Sequence, residues 1–478
     1  MSTPEIIVIE TPNLGDRSYV VGFEDTAVVV DPQRDIDRVY AALADRNWTV
    51  THVVETHVHN DYVSGGLVLA EELGATYVVP VGHDYQFDAA EMGDGDTFES
   101  GAMSWRVMHT PGHTPHHVSY AVATDGEDRA VFTGGSLLFG SVGRPDLIGP
   151  DATEGLAHAQ WHSVRKLIDG VAADAAVMPT HGFGSFCSAT ATVGLESTVG
   201  HQATSNPAAL LTEQEFVDEL LAGLDAFPAY YKHMGPANEL GAREIDLSPA
   251  ENADPEELRR RIEAGEWVVD LRQRRLWAAE HIKGSLSFDA EGNAITYLGW
   301  LIPWGTPVTL LGATQEQITE FQRDMVRIGI DRPAAQNIGQ PNAWSRGPED
   351  IGSVRRADFH ELAKALDEDS ELIVVDARRK TEWQEGHVAG ARHVPLHDLP
   401  DNIGQIKAWS DSAAHAGADP TVWISCGSGF RAMVGASLLT RAGVPVVVVD
   451  DQFSNAAVAG LSIVRDEHAM MLGDAYTD

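Results

Sequence analysis

The sequence predicts an α/β protein: an αββα sandwich followed by two parallel α/β repeats. Three observations predict it. Short apolar runs in the first half each end on His, Asp or Gly, so successive strand ends converge on one place. A segment beginning EELRRRIEAGEWVVDLRQRRLWAAEHIKGS is echoed about 105 residues later by ADFHELAKALDEDSELIVVDARRKTEWQEGHVAGARHVP. Finally, 478 residues exceed what one hydrophobic core usually organises.

In chain order, SYVVGF and TAVVVDP read as strands, RDIDRVYAALADR as a helix and WTVTHVVET as a strand running into a histidine cluster. Further strands follow at ATYVVPV, SWRVMHTPG and RAVFTGG. From about Thr212 the text turns helical (EQEFVDELLAGL), and between Pro236 and Pro249 it becomes a connector. The reading divides the chain into residues 1–235, 236–345 and 346–478. Each repeat runs helix, strand, Asp-x-Arg, helix, then a strand (TPVTLLG or TVWIS) entering a loop and a helix. Alternating strands and helices imply a parallel sheet whose working loop lies at the carboxyl end of a strand.

Composition narrows the function. A net charge of −38 with a pI near 4.7 repels phosphate backbones and anionic lipid, so neither nucleic acid nor a membrane surface is expected as a partner. No apolar run is long enough to span a bilayer, and MSTPEIIVIETPNLGDRSYVVG lacks the basic and apolar segments of a signal peptide, so a cytoplasmic location is expected. Two cysteines, Cys187 and Cys426, cannot build a disulfide framework and must be judged by their neighbours.

Cys426 ends an apolar strand and is followed by Gly427, Ser428, Gly429, Phe430 and Arg431 at the head of a helix. Two glycines let the backbone curl so that successive N–H groups face inward as an anion nest, and Arg431 adds positive charge. Such a loop stabilises a thiolate and prepares a nucleophile able to take the outer sulfur of a persulfide or thiosulfonate. DARRKTEWQEGHVAGARHVP and the loop CGSGFR resemble the rhodanese family, which implies sulfurtransferase chemistry with Cys426 as the persulfide carrier and Gly427 to Arg431 as its substrate cradle. The first repeat resembles the same fold but reads LLGATQEQ at the loop, with Gly312 or Ala313 where the nucleophile should be. Its expected role is structural or in docking.

Two histidine clusters follow apolar strands: His57, His59 and Asp61 in HVHNDY, and His109, His113, His116 and His117 in HTPGHTPHH; His181 ends a later strand. Imidazoles and a carboxylate on strand-end loops suit Zn²⁺ or Fe(II). These segments resemble metallo-β-lactamase-fold hydrolases, and VGRPDL at Val142 to Leu147 is similar to the persulfide dioxygenases often fused to rhodanese domains. The resemblance implies iron on His57, His113 and a carboxylate at position 135. Here that position is Gly135, and Tyr62 stands where the motif has a further histidine. Three readings stay open: Fe(II) on His57 and His113 with water or substrate completing the set, Zn²⁺ on His57, His59 and His113, or histidines that bind no metal and serve the fold. The resemblance further implies that Arg144 meets a carboxylate of a glutathione-like thiol carrier, that small persulfides or thiosulfate are substrates, and that the chain forms a homo-oligomer. Cys187 reads as a buried inert thiol, with a sulfur-relay role as the alternative.

Overall fold

The computed structural model describes residues 3–190, 192 and 194–465. They form two compact units: Met1–Asp246 with Arg323–Asp331, and Leu247–Gln322 with Arg332–Asp478.

In the first unit, residue alternation along each strand builds layers on both faces. The sheet of Glu5–Thr11, Asp16–Phe23, Thr26–Val30, Thr49–Val54, Thr76–Pro80 and Ala90–Met92 is antiparallel across its first two pairings and parallel thereafter. A second sheet is ordered Ala176–Pro179, Glu127–Gly134, Val118–Thr124, Met103–His109 and Thr97–Ser100. Tyr19, Val21, Val28, Val30 and Val54 meet Trp105, Val107, Tyr120, Val122 and Phe132 between the sheets. Their neighbours of opposite parity, Val20, Val29 and Val53, face out against Val39, Leu69 and Ala70 of the helices Asp37–Leu43 and Gly66–Leu73. On the other side, Val131 and Val177 pack under Leu167 and Val164 of the helix Pro150–Gly170. This is the αββα sandwich the sequence predicts. The unit runs past residue 235 through the helix Tyr231–Leu240, because Asn238 of that helix donates to the carbonyls of His59 and Tyr62, both at 2.9 Å, and accepts from the Ser64 N–H.

The second unit holds two all-parallel sheets. One is ordered Leu286–Ser287, Trp267–Asp270, Val308–Gly312, Ala335–Ile338; the other Arg355–Ala357, Val446–Val449, Val422–Ser425, Ile373–Asp376, Arg392–His393. The repeat is structural as well as textual. Arg272 Nη2 bonds Asp270 Oδ2 at 2.6 Å and the Glu280 carbonyl at 2.9 Å; Arg378 Nη2 bonds Asp376 Oδ2 at 2.7 Å and the Gly386 carbonyl at 2.8 Å. Trp277 stacks on His281 as Trp383 stacks on His387. Among the described residues no helix is long and apolar enough to cross a membrane.

Candidate functional site

The Cys426 loop starts where the strand Val422–Ser425 ends. Cys426 is 1% exposed and its Sγ accepts the Gly429 N–H at 3.1 Å. Gly429 sits at φ +93°, where only glycine is unstrained, and begins the helix Phe430–Arg441. Arg431 forks onto Glu382 with bonds of 2.5 and 2.7 Å. Burial works against both charges, yet the pairing holds the Glu382 carboxyl below its ordinary range and the guanidinium above its own. Gly427 is half-buried, Ser428 is exposed, and Phe430 lies 5.8 Å from the Tyr297 ring. Of the expected cradle, Gly429 reaches the sulfur through its amide; Arg431 is engaged by Glu382, a residue the sequence reading leaves out although it follows the Asp-x-Arg segment closely.

Strand register settles which residue replaces the thiol in the first copy. Asp376 pairs with Ser425, and Asp270 pairs with Leu311, so Gly312 stands at the position of Cys426. A Cβ on Gly312 would come within 2.6 Å of Ile318 Cγ1, so that space is already filled.

The histidines converge at the strand ends of the sandwich. His57 Nδ1 lies 2.9 Å from Thr56 Oγ1, whose own proton goes to Asp31 Oδ2 at 2.8 Å. His113 Nδ1 donates to the Arg144 carbonyl at 2.9 Å, and His181 Nδ1 to Asp16 at 2.9 Å with Asp61 at 3.1 Å. With each Nδ1 anchored on oxygen, the three Nε2 atoms are left to face one another: those of His57 and His181 are 3.2 Å apart, and that of His113 is buried without a partner. Tetrahedral zinc with nitrogen ligands at about 2.0–2.1 Å spaces those nitrogens by about 3.3 Å. Among the described residues, His57, His113 and His181 form one group able to hold a metal; His59, Asp61 and His181 form a second that shares His181. Oxygen acceptors behind the rings are the usual support for metal-binding imidazoles. The residues present therefore fit a metal ion.

The set expected from sequence is rearranged. His181 joins His57 and His113, while His59 Nε2 lies against Glu55 at 3.2 Å, Asp31 at 3.4 Å and the Tyr62 hydroxyl at 3.0 Å. Burial opposes a charge on His59, but Asp31 and Glu55 outweigh it and raise its pKa to about 9. His59 Nδ1 is buried without a partner, like Asp61 Oδ1. Tyr62 stacks on the His59 ring and donates to the Asp31 carbonyl at 3.3 Å, so it holds that ring in place. At Gly135 a Cβ would meet the His113 ring at 2.2 Å: His113 stands where a side chain at 135 would need to go. The Gly135 N–H donates to His117 Nε2 at 3.0 Å. Burial, followed by the neighbouring histidines, pushes His57 well below its ordinary pKa; burial and His181 take His113 down to about 3.

Arg144 is 4% exposed and its fork, expected for a ligand carboxylate, is taken by Asp146 at 2.6 and 2.7 Å; its backbone carbonyl instead orients His113. Cys187 is fully buried, and desolvation followed by Asp61 and Asp16 pushes its thiol well above the ordinary value, so it is unsuited to act as a free thiolate. Asp31 and Asp16 do not enter the sequence reading; TAVVVDP, an apolar strand ending in a carboxylate, is the signal for Asp31.

Comparison with known proteins follows the same division. Residues 14–182 match the metallo-beta-lactamase superfamily and residues 358–456 the rhodanese-like domain. The chain joins a metallo-β-lactamase domain to a rhodanese-like domain. The first of these is similar to a hydroxyacylglutathione hydrolase of Cereibacter sphaeroides (34% identical over 145 residues, 30% of this chain and 52% of that protein) and to one of Rhizobium etli (28% over 165 residues, 34% and 60%). The chain thus spans about half the length of the curated relatives it matches. A solved metallo-beta-lactamase from Staphylococcus aureus subsp. aureus COL aligns with a TM-score of 0.64 at 25% identity, over 71% of this chain and all of that one. The rhodanese-like match covers only the copy that carries Cys426.

Proposed function

We infer that this metallo-β-lactamase–rhodanese protein is a cytoplasmic enzyme of sulfane-sulfur metabolism that moves sulfur through a Cys426 persulfide. The observation that carries this reading is the Gly429 amide on Cys426 Sγ, at the head of a helix and beside a half-buried Arg431. The Cys426 thiolate attacks the outer sulfur of a persulfide, R–S–SH; the S–S bond breaks, RS⁻ leaves, and Cys426–S–SH remains. The Gly429 amide stabilises the charge on the sulfur before and after transfer. An acceptor nucleophile then takes the outer sulfur and regenerates the thiolate.

The metallo-β-lactamase domain handles the same class of compound, a low-molecular-weight thiol carrier bearing sulfur. A metal on His57, His113 and His181 would supply Lewis-acid polarisation and, were it iron, a centre for oxygen chemistry. The chain's own residues hold the rings: Thr56, the Arg144 carbonyl, Asp16 and Asp61 fix each tautomer and aim each Nε2. The histidine-rich set without a carboxylate at position 135 favours a second reading for this domain, hydrolysis of a thioester of a glutathione-like carrier on zinc, the type of chemistry named for the hydroxyacylglutathione hydrolases it resembles.

Sulfur transfer from glutathione persulfide or thiosulfate to cyanide is expected in wild type and absent in Cys426→Ser; equal rates in both would overturn the reading. Elemental analysis of protein purified without chelator separates the two roles of the metal domain. Iron with oxygen uptake on glutathione persulfide supports the dioxygenase, and zinc with thioester turnover lost in His57→Ala supports the hydrolase. Metal-free protein that still transfers sulfur would leave the first unit as a binding module.

A further inference from the structure

The Ser428–Gly429 peptide of the nucleophile loop is held from both ends. Its N–H, on Gly429, donates to Cys426 Sγ at 3.1 Å. Its carbonyl, on Ser428, accepts from Arg274 Nη2 at 3.3 Å, and Arg274 belongs to the first, thiol-less copy. A trans peptide is planar, with C=O and N–H pointing in opposite directions. A guanidinium that holds the carbonyl outward therefore holds the N–H inward, on the sulfur.

The rest of the local structure fixes Arg274 itself. Its Nε donates to Asp450 Oδ1 at 2.9 Å, and its backbone N–H to Asp289 at 3.0 Å. Asp450, with a side chain 1% exposed, also takes Arg275 Nε at 3.1 Å and Arg356 Nη1 at 2.7 Å. The carboxylate lies directly behind the loop, since a Cβ on Gly429 would stand 2.2 Å from Asp450 Oδ1. Of these three arginines, Arg274 bonds both the carboxylate and the loop.

We propose that Arg274 is a positioning residue for the Cys426 nucleophile: the first rhodanese-like copy, without a thiol of its own, supplies the cation that aims the Gly429 amide at the sulfur of the second. The assignment rests on Cys426 being the nucleophile. Arg431, its partner Glu382 and Tyr297 remain beside Cys426 when Arg274 is removed, so the loss is partial.

The test is the pH profile of Cys426 alkylation by iodoacetamide in the full chain, with the adduct located by peptide mass spectrometry so that Cys187 is counted separately. Loss of one oriented hydrogen bond to the sulfur moves the midpoint up by about half to one pH unit, and lowers the alkylation rate below the midpoint about three- to tenfold. Arg274→Ala and Arg274→Gln, which keeps most of the stem without the charge, are both expected to show this, with folding checked by circular dichroism. Arg274→Lys restores part of it, and Arg275→Ala, which loses only the Asp450 contact, stays within about twofold of wild type. Profiles for Arg274→Ala and Arg274→Gln that coincide with wild type would overturn the proposal. So would an equal shift in Arg275→Ala, which would assign the effect to the Asp450 cluster as a whole. Alkylation needs no sulfur donor, so failure of wild type to transfer sulfur would count against the function and not against Arg274.

Discussion

The two rhodanese-like copies share their framework and differ at one strand end. Both lock the Asp-x-Arg pair across the following turn, both stack Trp on His, and both bond the residue after the aspartate to the neighbouring strand, Leu271 N to Leu311 O at 2.8 Å and Ala377 N to Ser425 O at 2.9 Å. Beyond that point one copy places Gly312 beneath Ile318 and the other Cys426 beneath the Gly429 amide. The same framework thus presents a strand end that carries a thiol in one copy and none in the other. The same separation runs through the metallo-β-lactamase domain, where histidines and their supports persist although position 135 carries no side chain.

The comparison breaks most visibly at the thiol. Cys426→Ser should lower sulfur transfer on the order of a thousandfold or more, with the fold unchanged by circular dichroism. Adding Gly312→Cys to that variant should restore nothing, because Ile318 fills the site; recovery of transfer would show that the first copy is merely unarmed. Next in size is the lock. Asp270→Asn and Asp376→Asn each leave a buried arginine without its counter-ion and should destabilise by about 3–5 kcal/mol, read from denaturant unfolding. A large effect at Asp376 with none at Asp270 would make the pair a feature of the active copy alone. Gly312→Cys by itself should cost about 1–3 kcal/mol from overpacking against Ile318.

The smallest effect sharpens the difference in pH response. Glu382 occupies, in the second copy, the place that Leu276 takes in the first, six residues beyond the aspartate. Its folded pKa is depressed by Arg431, so the stability it contributes is present above the unfolded value of about 4.3 and is lost as pH falls through the lower folded value. An acid titration followed by a probe near Phe430 should therefore show a loop transition below about pH 4. Glu382→Gln should remove it, and its persistence in that variant would place the transition elsewhere.

Much of this was legible in the text. Alternation along SYVVGF and TAVVVDP specifies which residues meet between the sheets, and the echo of one Asp-x-Arg segment in another specifies a duplicated framework. The Cys426 loop is equally local: strand, cysteine, glycine, helix. What resisted reading were partners distant in sequence. His181 comes beside His57 and His113, and Arg274 reaches Ser428.

The sequence by itself determined the layers, the repeat and the strand–cysteine–glycine–helix run at Cys426, because each depends on periodicity or on neighbours a few residues apart. Only the tertiary structure decided that Gly312 is the counterpart of Cys426, which imidazole nitrogens face one another and which arginine bonds the Ser428 carbonyl. Those are matters of strand register and side-chain direction: a one-residue shift in pairing exchanges the residues at a strand end, and a hydrogen bond on Nδ1 decides where Nε2 points.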